Sequence, residues 1–357
     1  MSEITKEIIL DALNEVEDPE VHRSIVEMNM VRSVKIQGSR VSVEVVLTIT
    51  GCPLHNVIEN QVREALLAVP GVSDVDLTIG TMTDEEREQF AKKLRGTDAN
   101  QSPLLDPDVN TAFIAVASGK GGVGKSTVTA NLAVALAKKG LRVGVIDADI
   151  YGFSLPNIFG VTEIKPAIVE DLIMPVQTHG IKLVSMQFFV PGNRPVIWRG
   201  PMLGKMLKNF FQEVHWGELD VLLLDLPPGT GDMALDVHSL LPKSKELIVT
   251  TPQNTAADVA VRAGVLARQV KHDILGVIEN MAYYICDHCG ERHYIFGQGG
   301  GATVAEQLET DMLAQIPLAK SADEQLGIFA DDSMQAEVFA NLADHMIEVL
   351  KLDLIQI

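Results

Sequence analysis

A glycine- and lysine-rich stretch has the residue types and spacing of a phosphate-binding loop. It follows an apolar stretch typical of a β-strand, residues 113–117, and leads into residues 126–138, which have a helical composition. Glycines let the backbone wrap closely around phosphate oxygens, and the start of a helix adds partial positive charge. The pattern predicts a nucleotide-phosphate site made by Gly119, Lys120, Gly121, Gly122, Val123, Gly124, Lys125, Ser126 and Thr127.

Five polar side chains have predicted roles around the phosphates. Lys125 is placed to reach the β- and γ-phosphates, the Ser126 hydroxyl to ligate Mg²⁺, and Thr127 to contact an α-phosphate oxygen. Asp225 ends an apolar strand, which predicts a carboxylate near Mg²⁺, usually through a bound water. Asp147 also ends a strand and is predicted to support the Mg²⁺ shell. Helix capping is the alternative role for such carboxylates.

A pair of cysteines has the spacing of a metal site. Cys286 and Cys289 are separated by two residues, so both thiolates can face one metal. One chain then supplies two ligands, whereas a cluster or a structural zinc ion usually needs four. Two chains related by a two-fold axis would complete a Cys₄ site, which suits a [4Fe–4S] cluster. His288 and His293 could instead complete a zinc site within one chain, and a metal-free thiol pair is a third alternative.

The elements that must position these residues divide the chain into two domains. Residues 1–96 alternate helical and strand patterns, residues 97–110 form a polar linker, and residues 111–357 alternate short apolar strands with helices. This predicts an α/β P-loop NTPase fold, with a mainly parallel sheet covered by helices on both faces, preceded by a small α+β domain. The strands predicted for the large sheet are residues 113–117, 142–146, 181–186, 221–224, 247–250, 274–278 and 311–316.

Charge and composition restrict the partners that the chain is expected to have. Its net charge of −19 over 357 residues would be repelled by nucleic acid and by anionic membranes, so neither is predicted as a partner. The first twenty residues lack the features of a secretory signal, and no apolar run reaches the ~18 residues that span a bilayer. Three cysteines argue against a disulfide framework. A cytoplasmic location is predicted.

Lys120 is a second lysine in the loop, which an ordinary phosphate loop does not need. With it, the loop resembles the deviant Walker A motif of the MinD/ParA/nitrogenase iron-protein superfamily. The resemblance implies a homodimer in which Lys120 reaches the nucleotide held by the partner chain. It makes Lys120, Lys125 and Asp149 the catalytic residues, with Asp149 orienting the attacking water. It also implies that Asn280 recognises adenine, which favours ATP; shaping a turn is the alternative role for Asn280.

From about residue 110 to 345, the sequence resembles the Mrp/ApbC family of iron–sulfur carrier ATPases. The resemblance rests on GKGGVGKST, DADIYGFSLP (147–156), DLPPGTGD (225–232), TPQ (251–253) and ENMAYYICDHCGERHYIFGQGG (279–300). The last block joins Asn280 to the cysteine pair. The family implies ATP, Mg²⁺ and a [4Fe–4S] cluster as cofactors, with Cys286 and Cys289 holding the cluster between two subunits. It implies apo iron–sulfur proteins and cluster assembly factors as partners.

Residues 1–96 resemble the MIP18-like domain, also called DUF59, which is associated with iron–sulfur assembly. The matching residues are Asp18-Pro19-Glu20 and the stretch LTITGCP, residues 47–53. Cys52 lies just before a predicted helix, residues 54–68, whose N-terminus would lower the pKa of the thiol. Cys52 is therefore a candidate accessory thiol. A small buried residue in a tight turn is the alternative.

These features predict an ATP-binding and ATP-hydrolysing iron–sulfur cluster carrier. The alternatives are a MinD/ParA-like positioning ATPase and a zinc-binding P-loop ATPase. A positioning ATPase needs a membrane-targeting helix or a basic face, whereas residues 336–357 carry four acidic side chains that anionic lipid disfavours. An electron donor resembling the nitrogenase iron protein would use two widely separated cysteines, unlike the close pair here.

Overall fold

The structure is a computed structural model, and its contacts divide the chain into two units with separate apolar cores. Unit 1 contains residues 1–100, 167–174 and 213–217, and unit 2 contains the rest. The residues that the structure describes are 4–19, 21, 23–48, 55–95, 103–106, 108–149, 152–190, 200–229, 232–286, 288–318 and 327–352.

The amino-terminal part of unit 1 is a small α+β structure, as the sequence predicts. Its elements are α1 (Lys6–Asn14), β1 (Glu17–Asp18), β2 (Arg23–Ser24), β3 (Val31–Gln37), β4 (Arg40–Leu47), α2 (His55–Leu67), β5 (Asp74–Thr81) and α3 (Asp84–Arg95). Strand β4 pairs with β3 antiparallel and with β5 parallel. Thr5 caps α1, since its hydroxyl accepts from the Ile8 backbone N–H at 3.3 Å. Valines on β4 are buried in the same apolar core as Ile58 and Val62 of α2.

The remaining elements begin with the strand before the phosphate loop. They are β6 (Ala112–Ser118), α4 (Lys125–Lys138), β7 (Val143–Asp147), α5 (Leu155–Ile158), β8 (Ile168–Val169), β9 (Leu172–Ile173), β10 (Val176–Thr178), β11 (Ile181–Ser185), α6 (Gly200–Gln212), β12 (Val221–Asp225), α7 (Asp232–Leu240), β13 (Lys245–Thr250), α8 (Asn254–Gln269), β14 (Ile274–Glu279), β15 (Tyr284–Ile285), β16 (Arg292–His293), α9 (Gly300–Gln307), β17 (Met312–Gln315) and α10 (Met334–Leu350). All except β8 and β9 belong to unit 2.

The core of unit 2 is an eight-stranded sheet in the order β10-β11-β7-β12-β6-β13-β14-β17. All neighbouring strands in it are parallel except β10 and β11, which are antiparallel. Every residue of β7 and β12 is buried, so helices cover these strands on both faces. The predicted fold class is confirmed, and the antiparallel edge strand β10 is an addition that the sequence did not predict.

The antiparallel pair β8 and β9 lies in unit 1, although the chain on both sides of it belongs to unit 2. Val169, Leu172 and Met174 are buried in the same apolar cluster as the amino-terminal residues. The backbone of Ile173 also pairs with the neighbouring segment, where the N–H of His215 donates to its carbonyl at 2.9 Å. The sequence predicted that both segments belong with residues 111–357; in the structure both belong to unit 1, and residues 167–174 contribute to its apolar core.

The strands that carry the predicted site residues end at the same edge of the sheet. In the pairing register, Asp225 at the end of β12 lies opposite Asp147 on β7 and opposite Val116 on β6. The loop that follows β6 therefore starts beside both carboxylates. None of the described helices is long and apolar enough to cross a membrane.

Candidate functional site

Two glycines of the phosphate loop occupy positions where a side chain would not fit. A Cβ at Gly119 would lie 2.1 Å from the backbone carbon of Val259 in α8. Gly124 precedes α4 with a φ of 80°, and a Cβ there would lie 2.1 Å from the Asn280 amide nitrogen. The loop is thus packed closely against α8 and Asn280, with its backbone in a conformation that glycine favours.

Lys125 and Asp225 form a buried ion pair at the start of α4. The Lys125 ammonium nitrogen lies 2.8 Å from Asp225 Oδ1, and the two side chains are 6% and 0% exposed. The contact is an ion pair, and Lys125 Nζ is buried with no hydrogen-bond acceptor among the described residues. The Ser126 hydroxyl donates to Asp225 Oδ2 at 2.5 Å, and Thr129 donates to Oδ1 at 2.8 Å.

Asp147 is fully buried beside this pair. Its Oδ2 atom accepts from the Ser185 hydroxyl at 3.0 Å and from two backbone N–H groups at the start of α5. Its Oδ1 atom is buried with no hydrogen-bond partner among the described residues. Burial raises the pKa of Asp147 to about 7, the Asp225 carboxylate adds to the rise, and Lys125 opposes it. A cation bound beside Asp147 would offset the cost of burying its charged carboxylate.

Asp149 lies two residues further on and is partly buried. It accepts a hydrogen bond from the Gly152 backbone N–H at 3.1 Å. Burial raises the pKa of its carboxyl group, and Lys125 opposes the rise. Two buried atoms at the site, Lys125 Nζ and Asp147 Oδ1, have no hydrogen-bond partner among the described residues. Carboxylate and hydroxyl oxygens lie beside them. Together with the loop, these groups fit a magnesium-bound nucleotide phosphate.

Two of the predicted site residues, Lys120 and Asn280, make contacts that the sequence did not indicate. The Lys120 ammonium donates to Gln253 Oε1 at 3.2 Å, just before α8. The Asn280 amide nitrogen donates to the Val123 carbonyl at 2.9 Å and so braces the loop. Adenine recognition by Asn280 stays a prediction.

Three residues at the site were not predicted from the sequence: Thr129, Ser185 and Gln253. Thr129 is four residues after Lys125, on the same face of α4, so helical spacing is a signal that could have found it. Gln253 is part of the TPQ block quoted above. Ser185 ends β11, the strand beside β7, but its contact with Asp147 depends on the strand order.

The cysteine pair lies at the tip of a short hairpin made by β15 and β16. Tyr284 pairs with His293 across this hairpin, and the Cys286 backbone N–H donates to the Glu291 carbonyl at 3.0 Å. The Sγ atoms of Cys286 and Cys289 and a ring nitrogen of His293 all lie within 4.8 Å of one another. The other histidine considered from the sequence, His288, is not part of this group. Cys52 lies outside the described residues.

A phosphate loop after the first strand of a parallel sheet, with Lys125, Ser126 and Asp225 in contact, defines a P-loop NTPase. Comparisons with known proteins are more specific. Residues 110–347 match the model of a family described as the NUBPL iron-transfer P-loop NTPase, and residues 6–77 match the model of an iron–sulfur cluster assembly protein. The chain belongs to the NUBPL-type family of iron-transfer P-loop NTPases.

Relatives and solved structures agree with this assignment. A protein of Bacillus subtilis named iron-sulfur cluster carrier protein is 48% identical over 317 residues, covering 88% of each chain. A nucleotide-binding protein from Archaeoglobus fulgidus, solved in complex with ADP, is 40% identical, with a TM-score of 0.51 over 65% of this chain and 86% of that one. The cell division ATPase MinD of Pyrococcus furiosus is 24% identical, with a TM-score of 0.50 over 67% of this chain and 99% of that one, and shares the fold.

Proposed function

We propose that this chain is an ATP-hydrolysing carrier that holds a [4Fe–4S] cluster between two copies of itself and transfers it to apo-proteins. The observation that carries the proposal is the presence, in one unit, of a phosphate loop with the additional Lys120 and of a cysteine pair. The relatives named iron-sulfur cluster carrier protein support the carrier role. The cytoplasmic location predicted from the sequence is part of the proposal.

The cluster would be held by Cys286 and Cys289 of both chains. A [4Fe–4S] cluster usually takes four thiolates, and each chain offers two at the hairpin. Cys289 is exposed and Cys286 is partly exposed, so a second hairpin can approach them. A two-fold axis through the cluster would then make the site isologous and complete.

ATP and Mg²⁺ would bind at the phosphate loop. Ser126, Asp147 and Asp225 are the proposed Mg²⁺ residues, and the ion would neutralise charge on the phosphates. Lys125 would contact the β- and γ-phosphates. Because Asp147 has a pKa near neutrality, it must lose its proton before it can hold a cation.

Three further residues have proposed roles toward ATP. Asp149 would orient the attacking water, and Lys120 would reach the nucleotide of the partner chain. Asn280 would read adenine with its carbonyl and its second amide hydrogen, since the first is given to Val123. ATP binding and hydrolysis would change how the two chains meet, and this motion would control the retention and release of the cluster.

Anaerobic reconstitution with iron and sulfide tests the proposal. The wild-type chain is expected to develop the visible charge-transfer absorption of a cluster, and Cys286→Ala/Cys289→Ala is expected to lack it. Cys52→Ala is the matched control and should keep the absorption. Equal absorption of the wild type and the double variant would contradict the proposed site, whereas ATP-dependent pelleting with liposomes would favour a positioning ATPase.

A further inference from the structure

The hairpin that carries the cysteines brings a third metal-binding side chain to the same point. A ring nitrogen of His293 and the two thiol sulfurs lie within 4.8 Å of one another in a single chain. Gly290, with a φ of 72°, closes the turn by donating its N–H to the Cys286 carbonyl at 2.8 Å. The turn and the pairing of Tyr284 with His293 therefore hold all three donors together without a second chain.

The position of His293 is fixed by the residues on either side of it. The Arg292 guanidinium lies over the Tyr283 ring, 4.5 Å from its centre, and the Tyr294 ring meets Tyr283 edge-on at 6.3 Å. Tyr283 is itself 7% exposed, and its carbonyl accepts from the Leu318 N–H at 2.7 Å. Side chains of successive residues in a strand point to opposite faces. Because Arg292 and Tyr294 both contact the Tyr283 ring on one face, His293 points to the other face, where the thiols lie.

Three donors of this kind suit one metal ion. Two thiolates and one imidazole are typical ligands of tetrahedral Zn²⁺, Fe²⁺ and Co²⁺, and three protein ligands leave a fourth position open for exchange. Two chains together would offer six donors, whereas a cluster takes four. His293 is therefore surplus for a cluster held by four thiolates, but it is the third ligand for an ion held by one chain.

We infer that a single chain binds one divalent transition-metal ion through Cys286, Cys289 and His293, as an alternative to the cluster shared by two chains. The inference rests on the proposed function in that the same two thiols serve both sites. Binding releases the two thiol protons to solvent and forms two metal–sulfur bonds and one metal–nitrogen bond, with no change of oxidation state. A water or a donor from a delivery protein would fill the fourth position.

Anaerobic titration of the reduced, nucleotide-free chain with Co²⁺ alone tests the inference, because tetrahedral cobalt–thiolate sites have intense visible bands. We expect one Co²⁺ per chain. His293→Ala should weaken Co²⁺ binding at least ~10-fold, since even outer-shell changes have effects of that size. His288→Ala, the same change at an exposed histidine of the same loop, should leave the affinity unchanged. Equal affinities of His293→Ala and wild type, or one Co²⁺ per two chains, would overturn the inference.

Reconstitution of the same variants with iron and sulfide separates this inference from the proposed function. His293→Ala is expected to keep the cluster absorption while it loses Co²⁺ affinity. If His293→Ala lost both the cluster absorption and the Co²⁺ affinity, His293 would be a cluster ligand. That result would overturn the distinction between the two sites. A cluster that forms without Cys286 and Cys289 would instead overturn the proposed function, whatever the cobalt titration shows.

Discussion

Lys125 is a buried cation whose ammonium group lies 2.8 Å from the Asp225 carboxylate. The sequence predicted that these residues act at one site, because one belongs to a local loop pattern and the other ends a strand of the same parallel sheet. It could not predict the brace from Asn280 to the Val123 carbonyl, which depends on how the end of β14 approaches a loop distant in sequence. It also left His288 and His293 equivalent, and the pairing register of the hairpin distinguishes them.

Lys125→Ala is expected to reduce ATP turnover by at least ~100-fold, because it removes the charge that faces the β- and γ-phosphates. The measurement is steady-state phosphate release, with far-ultraviolet circular dichroism to verify folding. Lys138→Ala is the matched control, since Lys138 lies on the same helix and its side chain is 53% exposed. Turnover close to wild type in a folded Lys125→Ala variant would contradict the assigned role.

At the scale of elements, α3 begins with a reciprocal capping pair. The Glu86 carboxylate accepts from the Thr83 N–H at 2.8 Å, and the Thr83 hydroxyl accepts from the Glu86 N–H at 3.3 Å. Arg32 on β3 also donates to Glu86, at 2.6 and 2.9 Å. The Arg32 guanidinium lowers the pKa of Glu86 to about 2, and the Thr83 N–H adds to the effect. The spacing of Thr83 and Glu86 is a local sequence pattern typical of such a cap, whereas Arg32 comes from a strand distant in sequence.

Glu86→Gln should therefore weaken α3 in a pH-dependent way. A lowered pKa contributes stability above the ordinary value of 4.5, and this is lost as the pH falls toward 2. At pH 7 the variant should lose about 1 kcal/mol of local stability. The difference from wild type should shrink below pH 4.5. Hydrogen exchange of the α3 amides in both proteins measures this difference in stability. A difference that does not change with pH would contradict the role assigned to the Glu86 charge.

The β8–β9 pair shows why domain boundaries were harder to predict than the elements. Residues 111–357 read as one continuous alternation of strands and helices, yet Val169, Leu172 and Met174 complete the core of unit 1. Their apolar pattern is short and fits either unit, so only tertiary packing decides between them. Removing residues 1–96 would leave these three side chains without the apolar neighbours that bury them.

At the scale of the whole molecule, Lys120 tests whether the ATPase works as a dimer. In one chain it contacts Gln253, whereas the proposed function needs it at the nucleotide of a partner. A mixed dimer of Lys120→Ala and Lys125→Ala chains should regain activity. Its Lys120→Ala chain keeps its own Lys125 and receives Lys120 from the partner, so one site is complete.

The measurement is the rate of phosphate release by the mixture, compared with the rate for each variant alone. Gln253→Ala serves as the control, because it removes only the contact within the chain and should leave turnover largely intact. Absence of rescue in mixtures that form dimers, together with equal losses for Lys120→Ala and Gln253→Ala, would mean that Lys120 acts within its own chain.

The central claim is that two chains share one cluster, and native mass spectrometry of the anaerobically reconstituted protein, combined with iron and sulfide analysis, tests it most directly. The account predicts a species of two chains with four iron and four sulfide ions, which dissociates into single chains when the cluster is removed without nucleotide. Iron and sulfide carried in full by single chains, or dimers that bind iron without sulfide, would contradict it.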